Sequence, residues 1–504
     1  MTDVTFRDRE RVARTPPHGV ALDCLAAGIE AALPANVVAD AVSVADGTLR
    51  IEAVDGGADA DDGGTGADDG GADADDGGTG SYDLGAYESV RVVGAGKAAD
   101  GVATAVVDRL RGGLGDRRAG RPDDRFAGSL GDRFDGGVVV TDDPDRSGET
   151  GPFELLPGDH PLPTERGVEH ARRVVDAAAA GGPDDLVLAV VTGGASALLA
   201  VPADPIDVDD LRELTDALLA SGASIDEINA VRKHCSAVKG GQLARAAAPA
   251  TVVTLAVSDV VGDDLAVIGS GPTVPDPSTY DDALATLKRY GIDAPATVRE
   301  RLRAGADGDR PETPVAGDPA FERARTFVIG NARTALDAAA TAAADRGYDP
   351  AVVADDVVGE ARDAGREHVA FAEACAVDGR PVAPPAVLLT GGETTVTLAD
   401  GTGDDPVEPG SGGPNAEFVT SAGIELEREG VVVASVDTDG IDGASDACGG
   451  IVDAVTLPTP AARDALSRHD VAPLLDEADA LLRTGPTGTN VNDLRAVVVT
   501  ERSK

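Results

Sequence analysis

The chain has 504 residues and a formal net charge of −46, which excludes nucleic-acid binding because a phosphate backbone would be repelled over most of the surface. An acidic surface with only five lysines is typical of proteins that stay hydrated in concentrated salt. No run of about 18 apolar residues occurs, and the first residues lack an apolar stretch of secretory length, so we expect a halophile's cytoplasm and no membrane partner.

Two segments interrupt the regular pattern near the start of the chain. The sequence GGADADDGGTG occurs at 56–66 and again at 70–80, with no apolar residue larger than alanine. Residues 55–80 therefore cannot bury a core and are predicted to be a disordered acidic insert. A second stretch, Gly112 to Asp135, mixes Gly, Arg and Asp without periodicity and is predicted to be a surface loop.

Short apolar runs alternate with helical patterns through the first 300 residues. Apolar residues recur at helical spacing in Arg166–Ala180 and Val208–Leu219, and Ser224 with Glu227 forms a capping box that opens a helix toward Ala237. This alternation predicts a doubly wound, Rossmann-like parallel α/β sheet, in which ligands lie beyond the carboxyl ends of the strands. The predicted strands are Val90–Val93, Val138–Val140, Leu186–Val191 and Val252–Val257.

A second α/β domain is predicted after a linker. The passage Arg301–Pro319 is rich in proline and arginine, which is typical of a connecting segment. We therefore expect one domain over residues 1–300 and another over 320–504. The predicted strands of the second domain are Thr326–Ile329, Ala386–Leu389 and Val431–Val436.

The first glycine turn carries one of the five lysines. Residues 94–99, GAGKAA, follow a predicted strand and open a predicted helix, so their amides and the helix dipole are expected to bind an anion. An ammonium reaches a phosphate oxygen as a point charge, which favours Lys97 as a phosphate grip with Gly94 and Gly96 in the turn. The segment also fits the dinucleotide fingerprint GxGxxA, although no acidic residue ends a following strand about 20 residues on. A purely structural turn is the remaining alternative.

Two further glycine turns each end an apolar strand, one in each predicted domain. They are Thr192–Ser196 and Thr390–Thr394, and together they are predicted to cradle a nucleotide from both sides. Two ordinary strand exits are the alternative. The residues assigned to the nucleotide are Gly193, Gly194, Ser196, Gly391, Gly392 and Glu393.

Carboxylates cluster after the fourth predicted strand. Asp259, Asp263 and Asp264 offer the hard oxygen ligands that Mg²⁺ prefers, and one of them could instead accept a substrate hydroxyl proton. A solvated aspartate surface is the alternative in so acidic a chain. Gly271 and Thr273, in the next turn, are assigned to the nucleotide.

The remaining polar candidates are a loop and two histidines. Thr484–Asp493 is predicted to be a ligand loop that acts through Thr487 and Asn490, with a bland terminal cap as the alternative. His160 and His234 are potential bases, but isolated histidines in α/β domains are more often structural, and neither is assigned a role.

Taken in order, these blocks resemble the glycerate kinase family whose members end in the domain called MOFRL. The most specific stretches are SGASIDEINAVRKHCSAVKGGQLA at 221–244 and SDVVGDDLAVIGSGPTVPDPST at 258–279, followed by GGETTVT, DTDGIDG and TGPTGTNVND. The resemblance implies two dissimilar α/β domains, the second smaller and with a mixed sheet, and an active site in the cleft between them. It also implies phosphorylation of D-glycerate to 2-phosphoglycerate with ATP and Mg²⁺, by an enzyme for which we expect a homodimer.

The resemblance also implies roles for the matching residues. Lys97 and nearby amides would neutralise the γ-phosphate, and Asp259 would receive or orient the substrate hydroxyl. Arg232 and Lys239 would clamp the glycerate carboxylate or the ATP phosphates. On one helix these two cations, seven residues apart, would share a face.

One position departs from the family pattern. Relatives commonly have arginine followed by asparagine, but here Pro414 precedes Asn415, so only the asparagine keeps its expected place at the nucleotide. Either Arg333 supplies the missing charge, or the rate, the substrate or activity itself has changed. Two alternatives to a kinase are an NAD(P)H-dependent hydroxypyruvate reductase, a label that similar sequences have carried, and a catalytically silent metabolite-binding protein.

Overall fold

The computed structural model divides into two compact units. The parallel-sheet unit runs from Val37 to Ile329, and the mixed-sheet unit combines the residues up to Asn36 with those from Gly330 onward. Most of the predicted acidic insert and of the predicted loop after Gly112 lies outside the described residues. The structure describes residues 4–54, 78–115, 133–142, 148–150, 153–398 and 410–501.

The described strands begin and end close to the predicted apolar runs. In chain order they are β1 (Val42–Ala45), β2 (Thr48–Glu52), β3 (Thr79–Asp83), β4 (Ser89–Ala95), β5 (Phe134–Thr141), β6 (Gly148–Thr150), β7 (Phe153–Pro157), β8 (Asp185–Thr192), β9 (Thr251–Val257), β10 (Ala324–Gly330), β11 (Asp349–Ala354), β12 (Gly359–Glu360), β13 (Ala386–Gly392), β14 (Thr394–Thr395), β15 (Val431–Asp437), β16 (Gly449–Asp453), β17 (Leu481–Leu482) and β18 (Asp493–Val499).

The described helices fill the sequence between these strands. In chain order they are α1 (Arg9–Val12), α2 (Pro16–Ala31), α3 (Pro34–Ala41), α4 (Ala99–Gly115), α5 (Glu165–Ala179), α6 (Ala195–Leu198), α7 (Val208–Leu219), α8 (Ile225–His234), α9 (Gln242–Ala247), α10 (Tyr280–Tyr290), α11 (Ala296–Ala306), α12 (Ala332–Asp345), α13 (Ala361–Asp378), α14 (Pro414–Glu425), α15 (Thr459–Ser467) and α16 (Ala472–Glu477).

The parallel-sheet unit confirms the predicted fold class. Its main sheet has the order β10-β9-β8-β4-β5-β7-β6, with parallel pairing from β9 through β7 and an antiparallel edge strand β6. Strand β8 is buried along nearly its whole length, as expected for a central strand covered by helices. A small antiparallel sheet has the order β1-β2-β3.

One face of the main sheet packs on two of the helices. Apolar residues at period two on the strands meet residues at three-four spacing on α5, which is the pattern that predicted both kinds of element. The strand and α5 residues form one apolar cluster, on which helix α9 also packs. The cluster includes Val93, Ala95, Val140, Val187, Ala189, Ala171, Val174, Ala178, Leu243 and Ala247.

The mixed-sheet unit contains the second α/β sheet. Its order is β11-β13-β18-β15-β16-β17, in which only β11 and β13 are parallel and the other neighbours are antiparallel. Strands β12 and β14 form a short separate parallel pair. Helices α13 and α14 pack together on this sheet around Phe418, which is fully buried. A mixed sheet in the second half was the expectation, and it is confirmed.

Both ends of the chain contribute to the mixed-sheet unit, which the sequence did not indicate. Helix α2 packs against α12 and β18. Its residues Leu22, Leu25 and Ile29 have no exposed surface. A Cβ on Gly28 would lie 2.8 Å from the carbonyl oxygen of Ala335, so glycine is needed for this close helix contact. The units divide after Asn36 and after Ile329, which differs from the single boundary expected between residues 300 and 320. The strand predicted for the second domain at Thr326–Ile329 lies in β10, at the edge of the main sheet of the parallel-sheet unit.

Several predicted boundaries are wrong by a few residues or more. Helix α11 continues to Ala306, inside the predicted linker, and Thr313 is buried and donates a hydrogen bond to Asp276 Oδ2 at 2.8 Å. The linker prediction is therefore wrong, because its polar residues have partners within the parallel-sheet unit. Strand β3 begins at Thr79, inside the predicted insert. Helix α4 and strand β5 likewise enter the predicted loop.

Among the residues that the structure describes, no single helix has both the length and the apolar composition needed to cross a membrane. Helices α2 and α3, which are bent by 65° relative to each other, meet the criterion only as a pair, by length and composition.

Replacing Leu25 by alanine should weaken the core of the mixed-sheet unit. A buried Leu→Ala change removes apolar contacts and leaves a cavity, which typically costs about 2–5 kcal/mol of unfolding free energy. We expect a lower urea midpoint for Leu25→Ala in molar KCl, measured by circular dichroism. Val377→Ala is the control, because that side chain is exposed. Equal midpoints for the two variants would contradict the assigned packing of α2.

Candidate functional site

The carboxyl ends of β4, β8 and β9 meet at one edge of the main sheet. The three strands are adjacent and parallel, with Ala95 paired with Val191 and Thr192 paired with Val257. The turns after them therefore emerge side by side. These are the turns in which the sequence predicted Lys97, the pair Gly193 and Gly194, and Asp259.

Gly94 and Gly96 allow neighbouring strand ends to approach closely. A Cβ on Gly94 would collide with the Val190 carbonyl oxygen, and one on Gly96 would collide with the Thr192 side chain. Gly96 also has a φ of 142°, which disfavours residues with a side chain. The structure thus gives these two glycines a packing role beside the predicted ligand site.

The amides of the first turn are already used inside the protein. Gly96 N–H donates to Val140 O at 3.2 Å, Lys97 N–H to Gly193 O at 2.8 Å and Ala98 N–H to Thr192 Oγ1 at 3.1 Å. The expected anion cradle of turn amides is therefore wrong at these three positions. Within this turn, the half-buried Lys97 side chain is therefore the group that we expect to attract an anion.

Lys97, Asp259 and His160 all lie against the Gly193-Gly194 turn. A Cβ on Gly194 would lie 3.2 Å from Lys97 Cγ and 3.8 Å from His160 Cδ2. A Cβ on Gly193 would collide with the Asp259 carboxylate. The sequence placed Lys97 and Asp259 in one site, and the structure brings them to the same turn together with the unassigned His160.

The electrostatics agree with this proximity. Burial raises the pKa of Asp259 above its ordinary value, and the Lys97 charge partly opposes that shift. Burial lowers the pKa of His160, and Lys97 lowers it further.

The second histidine, His234, has a structural role. His234 is hydrogen-bonded through Nδ1 to Ala230 O at 2.7 Å and through Nε2 to Glu312 at 2.9 Å.

Arg232 and Lys239 come together, but not on one helix. Helix α8 ends at His234, so the argument from seven-residue helical spacing is wrong. Lys239 lies in the following turn, where its Nζ donates to Ser196 O at 2.6 Å. Burial, with a smaller contribution from the Arg232 charge, lowers the pKa of Lys239 to about 7.

Two residues assigned to the nucleotide in this unit have roles inside the fold. Thr273 is 4% exposed, and its hydroxyl accepts a hydrogen bond from Thr254 Oγ1 at 2.8 Å. Gly271, with a φ of 60°, accepts a backbone hydrogen bond from Gly241 N–H at 2.7 Å. Ser196 stays near the site, with its hydroxyl 2.8 Å from Ser270 Oγ.

The three carboxylates do not form a magnesium site. Within the described ranges, no group of three His, Cys, Asp or Glu side chains is placed to hold a metal ion. Asp264 is exposed, and its carboxylate accepts the Ala266 N–H at 2.8 Å. Asp263 occupies a left-handed turn position with a φ of 54°. The residues present therefore do not fit a metal held by Asp259, Asp263 and Asp264 together.

In the mixed-sheet unit, the Gly391-Gly392-Glu393 turn packs on its own fold. A Cβ on Gly392, where φ is 118°, would collide with the Val357 backbone. Gly391 O accepts a hydrogen bond from Arg495 at 3.4 Å, and the Glu393 side chain is exposed.

Asn415 lies at the centre of a buried polar network that the sequence only partly indicated. Its Nδ2 donates to Asp493 Oδ1 at 2.6 Å, and its backbone N–H donates to Asp442 Oδ1 at 2.9 Å. Burial raises the pKa of Asp442 to about 6. Arg495, which has no exposed surface, forms an ion pair with Asp493. No motif singled out Arg495, because an arginine inside an apolar strand gives no turn or glycine signal.

The remaining predicted residues of this unit are held by local hydrogen bonds. Thr487 Oγ1 donates to Thr438 O at 2.6 Å, and Asn490 Oδ1 accepts the Asn492 N–H at 3.0 Å. Pro414 is the first residue of α14, a position that suits a residue without an N–H. Arg333, the suggested substitute cation, pairs with Asp337 on its own helix at 2.8 Å.

Comparisons with known proteins cover most of the chain. A model described as a domain of unknown function, DUF4147, matches residues 20–303, and the MOFRL family model matches residues 386–493. A putative hydroxypyruvate reductase of Agrobacterium vitis is 44% identical over 372 residues, or 72% of this chain and 81% of the relative. The D-glycerate 2-kinase of Thermotoga maritima is 40% identical over 364 residues, or 71% and 83%. The crystal structure of glycerate kinase from Thermotoga maritima is similar with a TM-score of 0.73 and 32% identity, covering 96% of this chain and 99% of that one.

Replacing Lys239 by methionine should change how stability depends on pH. The folded-state pKa of about 7 lies below the ordinary value of 10.5, so between these values the folded state binds fewer protons than the unfolded state. Wild-type stability should therefore gain a contribution from Lys239 as pH rises from 7 toward 10.5, and Lys239→Met should lack that gain. Urea midpoints at pH 6, 7.5 and 9 measure it. Lys288→Met, at an exposed lysine, is the control, and profiles of equal slope for Lys239→Met and wild type would contradict the buried charge.

Proposed function

The chain belongs to the glycerate kinase family, in which a DUF4147 region precedes a MOFRL region, and from this premise we propose that it transfers the γ-phosphoryl group of ATP to D-glycerate. The proposed product is 2-phosphoglycerate. One observation in the structure carries the proposal. Lys97 and Asp259 lie against the same Gly193-Gly194 turn, at the carboxyl edge of a parallel sheet, where ligands of such folds bind.

Asp259 and Lys97 suit the two tasks of the reaction, which are removal of the hydroxyl proton and neutralisation of charge on the phosphate. The substrate hydroxyl oxygen forms a bond to the γ-phosphorus, while the bond from that phosphorus to the bridging oxygen breaks and ADP leaves with the electron pair. The hydroxyl proton passes to the Asp259 carboxylate, whose raised pKa makes it a better proton acceptor. The Lys97 side chain, which packs against Gly194, carries the ammonium that attracts the phosphate oxygens on which negative charge collects.

The same geometry argues against the reductase alternative. A Rossmann dinucleotide turn presents its backbone amides and a helix N-terminus to the pyrophosphate. Here the N–H groups of Gly96, Lys97 and Ala98 already donate to protein acceptors. The reductase name carried by relatives therefore receives no support from the fingerprint-like turn, and we propose the kinase for this chain.

Two assays, one with D-glycerate and ATP and one with hydroxypyruvate and NADH, separate the three functions that the sequence left open. Purified protein in molar KCl is incubated with D-glycerate and the magnesium salt of ATP, and the product is examined by carbon and phosphorus NMR. Formation of 2-phosphoglycerate and ADP is the expected result. Oxidation of NADH by hydroxypyruvate without ATP turnover would identify a reductase, and no reaction with either pair would leave a silent binding protein.

We further propose that the enzyme works in the cytoplasm of a cell that accumulates salt, since its charge of −46 suits that solvent.

Replacing Lys97 by methionine should remove most of the turnover without unfolding the protein. Loss of one group that stabilises transition-state charge typically costs 10²–10³ in kcat, and we expect a loss of about that size. The measurement is kcat by coupled ADP release, with circular dichroism as the check on folding. Lys288→Met, at an exposed lysine, should keep wild-type kcat. Unchanged kcat in Lys97→Met would exclude the phosphate-binding role.

Gly193→Ala should impair the same step by displacing Asp259. The added methyl group would occupy the space of the Asp259 carboxylate, so the proton acceptor must move. We expect kcat to fall by about 10-fold or more, because small displacements of a reacting group are costly. Gly19→Ala is the matched control, since nothing lies within 4 Å of its added Cβ. Wild-type kcat in both variants would show that Asp259 does not act from this position.

A further inference from the structure

A buried amide group beside the site lacks a partner. Asn229 is 3% exposed, and its Oδ1 accepts a hydrogen bond from Ser270 Oγ at 3.1 Å. Its Nδ2 is also buried, yet it has no acceptor within the described part of the chain. A buried donor without an acceptor is costly, so such groups commonly mark the place of a ligand.

A guanidinium group next to this amide also lacks an ion pair. Arg232 lies three residues after Asn229 on helix α8, so the two side chains are neighbours on one face. Burial lowers the pKa of Arg232, and its guanidinium forms no salt bridge or hydrogen bond with any residue that the structure describes. In a chain with 89 acidic residues, a partly buried arginine without an acidic partner favours an outside anion.

Hydrogen bonds connect Asn229, Ser270, Ser196 and Lys239, and we call these four residues together with Arg232 the polar ring. Asn229 binds Ser270, Ser270 Oγ lies 2.8 Å from Ser196 Oγ, and Ser196 O accepts the Lys239 ammonium at 2.6 Å. Arg232 belongs to the same group because it shares a face of α8 with Asn229 and its charge contributes to the lowered pKa of Lys239. Ser196 lies two residues after Gly194, so the polar ring is close in sequence to the turn against which the Lys97 and Asp259 side chains lie.

We propose that the polar ring binds the carboxylate of the substrate, with Asn229 Nδ2 as a donor that no motif indicated, beside the Arg232 guanidinium and the Lys239 ammonium. This inference rests on the proposed function and decides between the carboxylate and the phosphates as the group that these side chains hold. Asn229 and Lys239 are 3% and 5% exposed, which favours a compact group such as a carboxylate over a hydrated triphosphate chain. A carboxylate offers two oxygens in one plane, which matches an arginine fork and one amide donor.

Steady-state kinetics of Arg232→Gln and Asn229→Ala test the assignment against the phosphate alternative. We expect the KM for D-glycerate to rise about 10- to 100-fold in each variant, the range typical of a lost hydrogen bond to a charged group, while the KM for ATP changes by less than about twofold. With glycerol, which lacks the carboxylate, kcat/KM should stay at the wild-type value. Arg289→Gln, at an exposed arginine, is the control. A raised KM for ATP, or an equal loss with glycerol, would overturn the assignment.

A binding measurement separates this inference from the proposed reaction. D-lactate keeps the carboxylate and propane-1,2-diol does not, so without ATP only lactate should raise the thermal unfolding midpoint of the full-length wild-type chain. The rise should be lost in Asn229→Ala and in Arg232→Gln and kept in Arg289→Gln. If this pattern appears in a protein without kinase activity, the proposed function fails while the carboxylate site stands. If an active kinase shows no lactate effect and an unchanged KM for D-glycerate in both variants, the carboxylate site is wrong.

Discussion

The close approach of three parallel strand ends is the constraint on which the proposed site depends. Glycines at 94 and 96 bring β4 against β8, and a Cβ at Gly193 would push away Asp259. With side chains at these positions, Lys97 and Asp259 could not share one turn. In the sequence these glycines suggested a phosphate-binding loop. In the structure they instead allow the Lys97 and Asp259 side chains to approach the same turn.

The parallel-sheet unit holds buried and half-buried lysines, although the chain as a whole is strongly negative. The net charge of −46 is carried by an acidic excess that concentrated salt screens over a few ångströms, about 3 Å at 1 M. Buried groups are screened much less. In concentrated salt, the half-buried Lys97 and the buried Lys239 would therefore keep more of their attraction for a ligand than exposed charges do.

The sequence predicted the strands well because apolar runs in a parallel sheet are buried on both faces, and it predicted the meeting of Lys97 and Asp259 because carboxyl ends share an edge. The predictions from the sequence were wrong where the conformation of the chain depends on hydrogen bonds that no motif indicates. The turn amides found internal acceptors, α8 stopped at His234, and the three aspartates diverged. Asn229 and Arg495 were missed because a polar residue within a helix or strand gives no local signal of its partners.

Helix α2 gives the mixed-sheet unit a particular history during synthesis. Its residues Leu22, Leu25 and Ile29 are made before the parallel-sheet unit, whereas β18, against which the helix packs, is made after it. The nascent chain therefore carries an apolar helix without its partner strand while the whole parallel-sheet unit is translated. The mixed-sheet core can close only once β18 has left the ribosome.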